Sequence, residues 1–562
     1  MLELSQDGPT AEKQMRAVIF YLTTFGYIDG DFDAAEKEFV RDYIAKLVDH
    51  RVRGAVGGDE QLRAELGGKY TAHFHEVFET IDAEVRSLFT ESVADGENQK
   101  QFVHSKLKLR CFEIFKSFDE SGQNQLLDTI DELIQADGQV HPAELEFRGE
   151  LAQLLEEDLG VELVDDGGER GAVTVTGGTL LEPAEEDHPF FRQFEVHYSS
   201  QPERLVQQVG ADRALLDKTM SLLEAQRARG AGKLTGKRSV SELEGQEPFL
   251  DGHVYVHPLQ AGRSYDVTVL GDLHGCYSCL KGAILQTSFF AKVALYKNDP
   301  ARQPYPILVL LGDYIDRGIF SYNGVLRAVM QTFVAAPEHV YVLRGNHEYY
   351  FEHQGRVYGG VKPAEAINTL KPHLPAEVFQ HYMRFFDSMA NMLLLDRTLF
   401  VHAGIPRDLL LKERYKDLSS LNDPDLRFQM MWSDPSEADV IPAKLQEQSA
   451  RFAFGRLQCL AFLKRLGCHT LVRGHEKVDA GFKRTYDDGQ QLLVTVFSAG
   501  GKDNSDLPPE SGYRSVSPMA LTIKMKAGES TITPFLIDYH RYNDPAKNAF
   551  FQARPEIEHR AD

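Results

Sequence analysis

The sequence predicts a multidomain chain in which an N-terminal all-α region precedes a C-terminal α/β domain. Three observations carry that reading. Up to residue 160, apolar residues recur at three- and four-residue spacing, and Pro9 and Pro142 are the only prolines. From residue 265 onward, short β-branched runs end in glycine-bearing polar turns. The charge is also divided: residues 1–200 hold 42 acids and 18 Lys/Arg, net −24, whereas residues 201–562 hold 42 and 43, net +1.

Composition narrows the function classes. The 562 residues are 42% hydrophobic and 26% charged, which allows a packed core and excludes wholesale disorder. Net −23 argues against a nucleic-acid binder held by phosphate contacts and against attraction to an anionic membrane. No run of 18 apolar residues predicts a membrane span, and the N-terminus lacks the basic and apolar regions of a signal peptide. Cys111, Cys276, Cys279, Cys459 and Cys468 are an odd set in a long chain and do not form a disulfide framework. A soluble, reducing, cytoplasmic setting is expected, with no nucleic acid and no membrane as partner.

The helical signal is strongest in AVIFYLTTF, EFVRDYIAKLV, EVFETIDAEVRSLF, LKLRCFEIFKSF and LLDTIDELI. An internal echo lies among them: Asp29–Phe39 repeats at Asp137–Phe147. In each copy Asp-Gly suits the end of one helix, and Glu36 or Glu144 favours the positive end of the next. Each copy is therefore a helical hairpin. It serves either as packing around one core or as an acidic ligand-binding surface. A calcium-binding EF-hand loop is not expected, because its twelfth position is Val40. Residues 161–244 read as a linker region with a short hairpin near DDGGERGAVTVTGG, a helix over 201–228 and a Gly/basic stretch.

The second domain is expected over 245–545. Its apolar runs precede Gly271-Asp272-Leu273-His274-Gly275, Gly312-Asp313-Tyr314-Ile315-Asp316-Arg317-Gly318, Gly345-Asn346-His347-Glu348, His402-Ala403-Gly404 and Gly474-His475-Glu476. Polar groups on glycine-bearing loops at strand ends are where α/β proteins assemble sites. Asp272, His274, Asp313, Asn346, His402 and His475 are carboxylate, imidazole and amide donors without thiolate, a mix that suits manganese, iron or zinc. Six ligands exceed one tetrahedral site, so two divalent metal ions sharing a carboxylate are expected. Such a pair can polarise a phosphoryl oxygen and generate hydroxide from water. His347 with Asp316 is a candidate acid pair, and Arg317 offers a fork for phosphate. The Cys276-x-x-Cys279 spacing reads as core packing.

These motifs, in this order, with MWSDP (Met431–Pro435) and FAFG (Phe452–Gly455), resemble the PPP family of metal-dependent serine/threonine phosphatases over about residues 260–540. The resemblance implies a calcineurin-like metallophosphoesterase fold, a β-sandwich flanked by helices. It implies two divalent ions, manganese before iron or zinc: Asp272 and His274 ligate one, Asp313 bridges, and Asn346, His402 and His475 ligate the second. His347 would be the general acid oriented by Asp316, with Arg317 and Arg451 on the substrate phosphate. The implied function is a protein serine/threonine phosphatase acting through a metal-activated hydroxide on a phosphoprotein substrate. The alternative is a phosphohydrolase of diadenosine tetraphosphate or another nucleotide. Three departures stand out: Ala403 replaces a glycine, Arg451 sits directly before the Phe-x-Phe-Gly segment, and Phe497-Ser498-Ala499 is not followed by the family's tyrosine. Tyr513 lies too far along to be read as its substitute. The hairpin of residues 1–160 resembles the TerB-like helical domain, an accessory module. This implies a regulatory or targeting role, with a possible protein partner through its acidic surface.

Overall fold

The computed structural model describes residues 2, 4–5, 7–28, 30, 32–56, 59–89, 98–136, 141–156, 173–353, 356–361, 376–526 and 528–552. Asp29, Asp31 and residues 137–140 of the echo, and residues 161–172 of the expected hairpin, lie outside them. The chain divides into two compact units. One comprises residues 1–161 and 436–455, the other residues 162–435 and 456–562.

The first unit is helical: α1 (Gly8–Gly26), α2 (Ala34–Val56), α3 (Glu60–Leu88), α4 (Gln99–Lys116), α5 (Glu120–Ile134) and α6 (Pro142–Glu156). Their apolar stripes meet in one core that takes Ile19 and Phe25 from α1, Ile44 from α2, Phe78 from α3, Phe112 from α4 and Ile130 from α5. Ile441, Leu445 and Ala453, from far along the chain, belong to the same core.

The echo resolves into helix starts. Asp33 Oδ1 accepts from Glu36 N at 2.8 Å, and Glu36 Oε2 accepts from Asp33 N at 2.9 Å, a reciprocal capping box. In the second copy Glu144 Oε2 accepts from His141 N at 3.0 Å, and His141 Nδ1 accepts from Ala143 N at 3.2 Å. Glu36 and Glu144 are buried by these caps, so the repeated glutamates do not form an exposed acidic surface. Gly30 carries a φ of 100°, which explains the Asp-Gly turn.

The second unit is built on two seven-stranded sheets. In chain order their strands begin with β1 (Val173–Val175), β2 (Thr179–Leu180), β3 (Phe249–Asp251), β4 (Val254–His257), β5 (Ser264–Leu270), β6 (Tyr305–Leu310) and β7 (Val340–Val342). They continue with β8 (Met392–Leu395), β9 (Thr398–Val401), β10 (Thr470–Arg473), β11 (Phe482–Asp487), β12 (Leu492–Val496), β13 (Met519–Lys526) and β14 (Glu529–Leu536). The first sheet runs β1-β14-β13-β5-β6-β7 with β2 beside β14, and the second runs β11-β12-β10-β9-β8-β4-β3. One apolar cluster takes Val267, Leu308 and Ile523 from the first sheet and Leu393, Phe400 and Val494 from the second. Their runs of Val, Ile and Leu are buried along most of their length, as the sequence pattern demands of central strands.

Helices complete this core: α7 (Pro189–Arg192), α8 (Pro202–Gly230), α9 (Tyr277–Gln286), α10 (Phe289–Asn298), α11 (Arg327–Ala335) and α12 (Ala376–Ser388). Leu216 and Leu223 of α8 sit in it, and Asp212 of α8 takes a two-pronged ion pair from Arg327 of α11 at 2.9 and 3.0 Å. The region expected as a linker thus contributes to the packed interior of the second unit. Its β1 pairs in parallel with β14 rather than with a neighbouring strand of its own. All five cysteines are buried and free, and Cys276 and Cys279 pack in the core. No helix among the described residues is long and apolar enough to cross a membrane.

Strand direction places the site. β5, β6 and β7 are mutually parallel, as are β9, β10 and β12, so the chain leaves these strands at matching ends. A parallel bridge between Asp272 and Phe497 ties the exit of β5 to that of β12. Ligands of such sheets bind outside the carboxyl ends of the strands.

Candidate active site

Each expected ligand follows a strand: Asp272 and His274 follow β5, Asp313 follows β6, Asn346 follows β7, His402 follows β9 and His475 follows β10. All six side chains are buried, with exposures of 0–7%. Two groups of donors converge within 4.8 Å: His274, Asp313 and His347 in one, and Asp313, His402 and His475 in the other. Asp313 is common to both. His274 Nε2 lies 3.5 Å from Asp313 Oδ2 and 3.7 Å from Asp272 Oδ2, and His402 Nε2 lies 3.4 Å from Asp313 Oδ1. The Asn346 side-chain amide sits 2.9 Å from His402 Nε2 and 3.2 Å from His475 Nδ1.

The imidazoles are turned by main-chain oxygens. His274 Nδ1 lies 3.0 Å from Ile315 O, and His402 Nδ1 lies 3.1 Å from Leu311 O. A carbonyl only accepts, so each Nδ1 carries hydrogen and each Nε2 offers its lone pair inward. His347 is turned the same way by Asp316, whose Oδ2 is 2.7 Å from His347 Nδ1.

Loop geometry holds the carboxylates. Glu348, buried at 0% exposure, accepts from Asp313 N, Tyr314 N and Gly345 N at 2.9, 2.8 and 3.0 Å, joining two of the loops. His347 N donates to Asp313 Oδ1 at 3.0 Å, and His475 N donates to Asp272 Oδ1 at 2.8 Å. A side chain on Gly345 would meet Asp313 Oδ1 at 2.1 Å, and one on Gly474 would meet Asp272 Oδ1 at 2.3 Å. The glycines are there because the carboxylate oxygens occupy that space. Five non-glycine residues of these loops hold positive φ: His274 (41°), Asp313 (55°), Asp316 (68°), Arg317 (67°) and His475 (69°). Such backbone costs of order 1–3 kcal/mol per residue and persists where surroundings over-determine it.

Electrostatics tests whether metals suit these residues. Burial, then the charges of Asp272 and Glu348, push the Asp313 carboxyl well above its ordinary range. Burial pushes His402 down to about 4 and His347 well below its ordinary value, the latter helped by His274 and Arg317. Asp272 Oδ2 is buried with no hydrogen-bond partner. Carboxylate oxygens and neutral imidazole nitrogens thus face one another around a centre that asks for positive charge. Hard oxygen and imidazole donors are what divalent transition ions take. The set fits two such ions sharing Asp313.

Other expected residues fall into place unevenly. Arg317 follows Asp316 at the loop turn and is partly exposed. Arg451 lies in the 436–455 segment, which belongs to the helical unit. Ala403 stays buried, and its carbonyl accepts from Arg473 Nε. Arg473 is itself fully buried and pairs with Asp434 at 2.6 Å, fixing the strand end that carries His475. Tyr513 stands 5.2 Å from the rings of both His274 and Phe497. The chain thus brings a tyrosine to this side of the site from a turn sixteen residues beyond Phe497, further than a local motif reaches. Glu348 and Arg473 were visible only as letters inside RGNHE and RGH. A glutamate directly after a histidine in a glycine-bearing turn was the available signal.

Residues 265–479 match the calcineurin-like phosphoesterase family. The chain carries a calcineurin-like metallophosphoesterase domain, and through it is homologous to the PPP-family serine/threonine phosphatases. A probable serine/threonine-protein phosphatase of Encephalitozoon cuniculi is 27% identical over 299 residues, covering 51% of this chain and 59% of that protein. The serine/threonine-protein phosphatase 4 catalytic subunit of Eremothecium gossypii is 27% identical over 42% of this chain and 68% of its own length. The phosphatase 6 catalytic subunit of Caenorhabditis elegans is 28% identical, with shares of 42% and 65%.

Proposed function

We propose that this protein is a metal-dependent protein serine/threonine phosphatase. The observation that carries the reading is Asp313 at the junction of two donor groups, beside the His347–Asp316 pair at 2.7 Å. Asp272 and His274 would hold one ion, Asn346, His402 and His475 the other, and Asp313 both. When bound, the ions, most simply manganese, supply Lewis acidity towards the phosphoryl group and lower the pKa of water. The chain's own residues do the rest. Arg317 grips phosphate oxygens and orients the ester. Acid catalysis uses the imidazolium of His347: Nδ1–H is held by Asp316, and the second proton, on Nε2, faces the leaving oxygen and passes to it, leaving the ring neutral. Arg451 is a second candidate phosphate ligand.

The phosphatase names of the relatives, together with the intact acid pair, favour phosphoserine and phosphothreonine proteins over dinucleotides as substrates. The helical unit would regulate or target the enzyme as a TerB-like accessory domain in the cytoplasm, through a protein partner.

The test is metal-dependent hydrolysis of para-nitrophenyl phosphate by the chelated, manganese-restored protein. Asp313→Asn should lose metal and turnover together. Near-wild-type turnover in that variant would sink the assignment. A higher kcat/KM for diadenosine tetraphosphate than for phosphoserine peptide would move the protein to the nucleotide class.

A further inference from the structure

The loop that carries Arg317 has no regular element to hold it. Asp316 and Arg317 both sit at positive φ, and the chain then enters a π-helical turn over Ser321–Leu326, in which Val325 N donates to Phe320 O at 2.8 Å. Such turns are rare and mark places where backbone register is bent to a task. Something outside the loop must fix where Arg317 points.

The structure shows what does so. On one side, Gly318 is wedged against the first metal loop: a side chain there would meet His274 O at 2.2 Å. On the other, Ile319 N donates to Asp506 O at 2.9 Å and Phe320 N donates to Gly275 O at 3.2 Å. The Asp506 anchor is gripped by the C-terminal segment through its neighbours Ser505 and Ser278. Asn543 Oδ1 accepts from Ser505 N at 2.8 Å, and Asn543 Nδ2 donates to Ser278 Oγ at 2.8 Å. Ser278 N in turn donates to Asp506 Oδ2 at 2.6 Å.

Phe550 stacks on Phe320 at 4.6 Å and 27°, meets Tyr277 edge-on at 5.0 Å, and is 4% exposed. Its turn is pinned in three ways. Asn548 Oδ1 accepts from Phe550 N, Glu195 Oε2 accepts from Ala549 N at 2.9 Å, and the Phe550 carbonyl lies 2.8 Å from His197 Nε2. A segment more than 200 residues past Arg317 is thus the rigid backing of its loop.

We propose that Phe550, with Asn543, is a positioning residue for Arg317, so that the C-terminal segment sets affinity for the substrate's phosphate. The proposal rests on the reading of Arg317 as a phosphate ligand. It predicts a loss in phosphate binding with the metals retained, because the stacked rings of Phe320 and Phe550 meet no expected metal ligand and Phe320 reaches the first metal loop only through its main-chain N–H to Gly275.

The experiment uses the full-length, manganese-loaded protein, with inorganic phosphate as competitive inhibitor of para-nitrophenyl phosphate hydrolysis. Phe550→Ala should raise the phosphate Ki and the substrate KM about tenfold, the scale of a small misplacement of a binding group, with a smaller change in kcat. Bound manganese should stay at the wild-type level. Phe550→Leu, which fills most of the space and protects against failure to fold, should recover part of the loss. Arg317→Ala should weaken phosphate at least as much. In that background Phe550→Ala should add less than about twofold, because it acts through the missing guanidinium. Leu223→Ala in α8 serves as a core variant of similar stability cost and should leave Ki unchanged.

If Arg317→Ala does not alter Ki, the underlying reading fails and this inference with it. If Arg317→Ala weakens phosphate while folded Phe550→Ala and Phe550→Leu do not, the positioning role is wrong and the reading of Arg317 stands. Additive effects in the double variant, or an equal rise in Ki from Leu223→Ala, would also overturn it.

Discussion

Glu348 offers the sharpest perturbation of the site that leaves every expected ligand in place. Its two oxygens accept three main-chain N–H groups, those of Asp313 and Gly345 at Oε2 and that of Tyr314 at Oε1. Glutamine keeps the shape but has one accepting atom. With its oxygen on the two-bond side, the amide NH2 faces Tyr314 N–H, donor against donor. A buried N–H stranded in this way costs about 1–3 kcal/mol. Burial pushes the Glu348 carboxyl up to about 7, so removing its charge near neutral pH gives back little, and the lost acceptor dominates. Glu348→Gln should therefore lower stability by about 1–3 kcal/mol. It should also weaken metal binding roughly 10–100-fold, because the peptide it releases joins Asp313 to Tyr314. Thermal denaturation of the chelated protein and calorimetric titration with manganese measure the two terms separately. Wild-type affinity in a destabilised Glu348→Gln protein would refute the link from this carboxylate to the metals. Wild-type behaviour in both would refute the hydrogen-bond argument itself.

Three further outcomes are expected. His347→Asn should retain manganese while turnover of phosphoserine peptide falls roughly 10²–10⁴-fold, with a smaller fall for para-nitrophenyl phosphate, whose leaving group needs little protonation. Equal losses on the two substrates would count against the acid role. Asp212→Ala should destabilise the second unit by about 3–5 kcal/mol in urea unfolding, because it leaves Arg327 buried without its partner. A change under half that size would mean water reaches the guanidinium. Burial holds His253 down at about 4 and His257 at about 3, so between those values and the ordinary 6.5 the unfolded chain takes up protons that the folded chain refuses. Stability from these rings is complete above pH 6.5 and falls as the pH drops towards 4 and then 3. His253→Asn should flatten part of that slope, and an unchanged slope would show that the ring is not buried neutral.

The candidate metal donors stood out because they lie on short turns at the ends of apolar runs, each but His402 directly beside a glycine, and local sequence records both. The helices of the first unit were legible for the same reason, since a 3.6-residue period needs only a short window. What stayed hidden depends on distant chain. Tyr513 reaches His274 through a turn held by Arg514, whose guanidinium donates to the carbonyls of Lys502, Leu507 and Pro508. No spacing rule announces such a staple. The helix over 201–228 was legible, but residues 173–230 read as a connection because nothing local says that β1 and α8 join the core of the second unit. Their role comes from β14 and from Arg327, 357 and 115 positions away from their partners Val173 and Asp212. Glu36 and Glu144 were legible as helix-start residues, whereas their burial in the caps was not.

The helical core that includes Ile441, Leu445 and Ala453 has a consequence for biosynthesis. Residues 1–161 leave the ribosome first, yet their unit lacks part of its interior until residue 455 has been made. At roughly 5–20 residues per second, that interval lasts on the order of 15–60 s. During it the nascent helices expose an apolar gap while the strands of the other unit are still being delivered. The net −24 of the first 200 residues disfavours association of such unfinished units through like-charge repulsion.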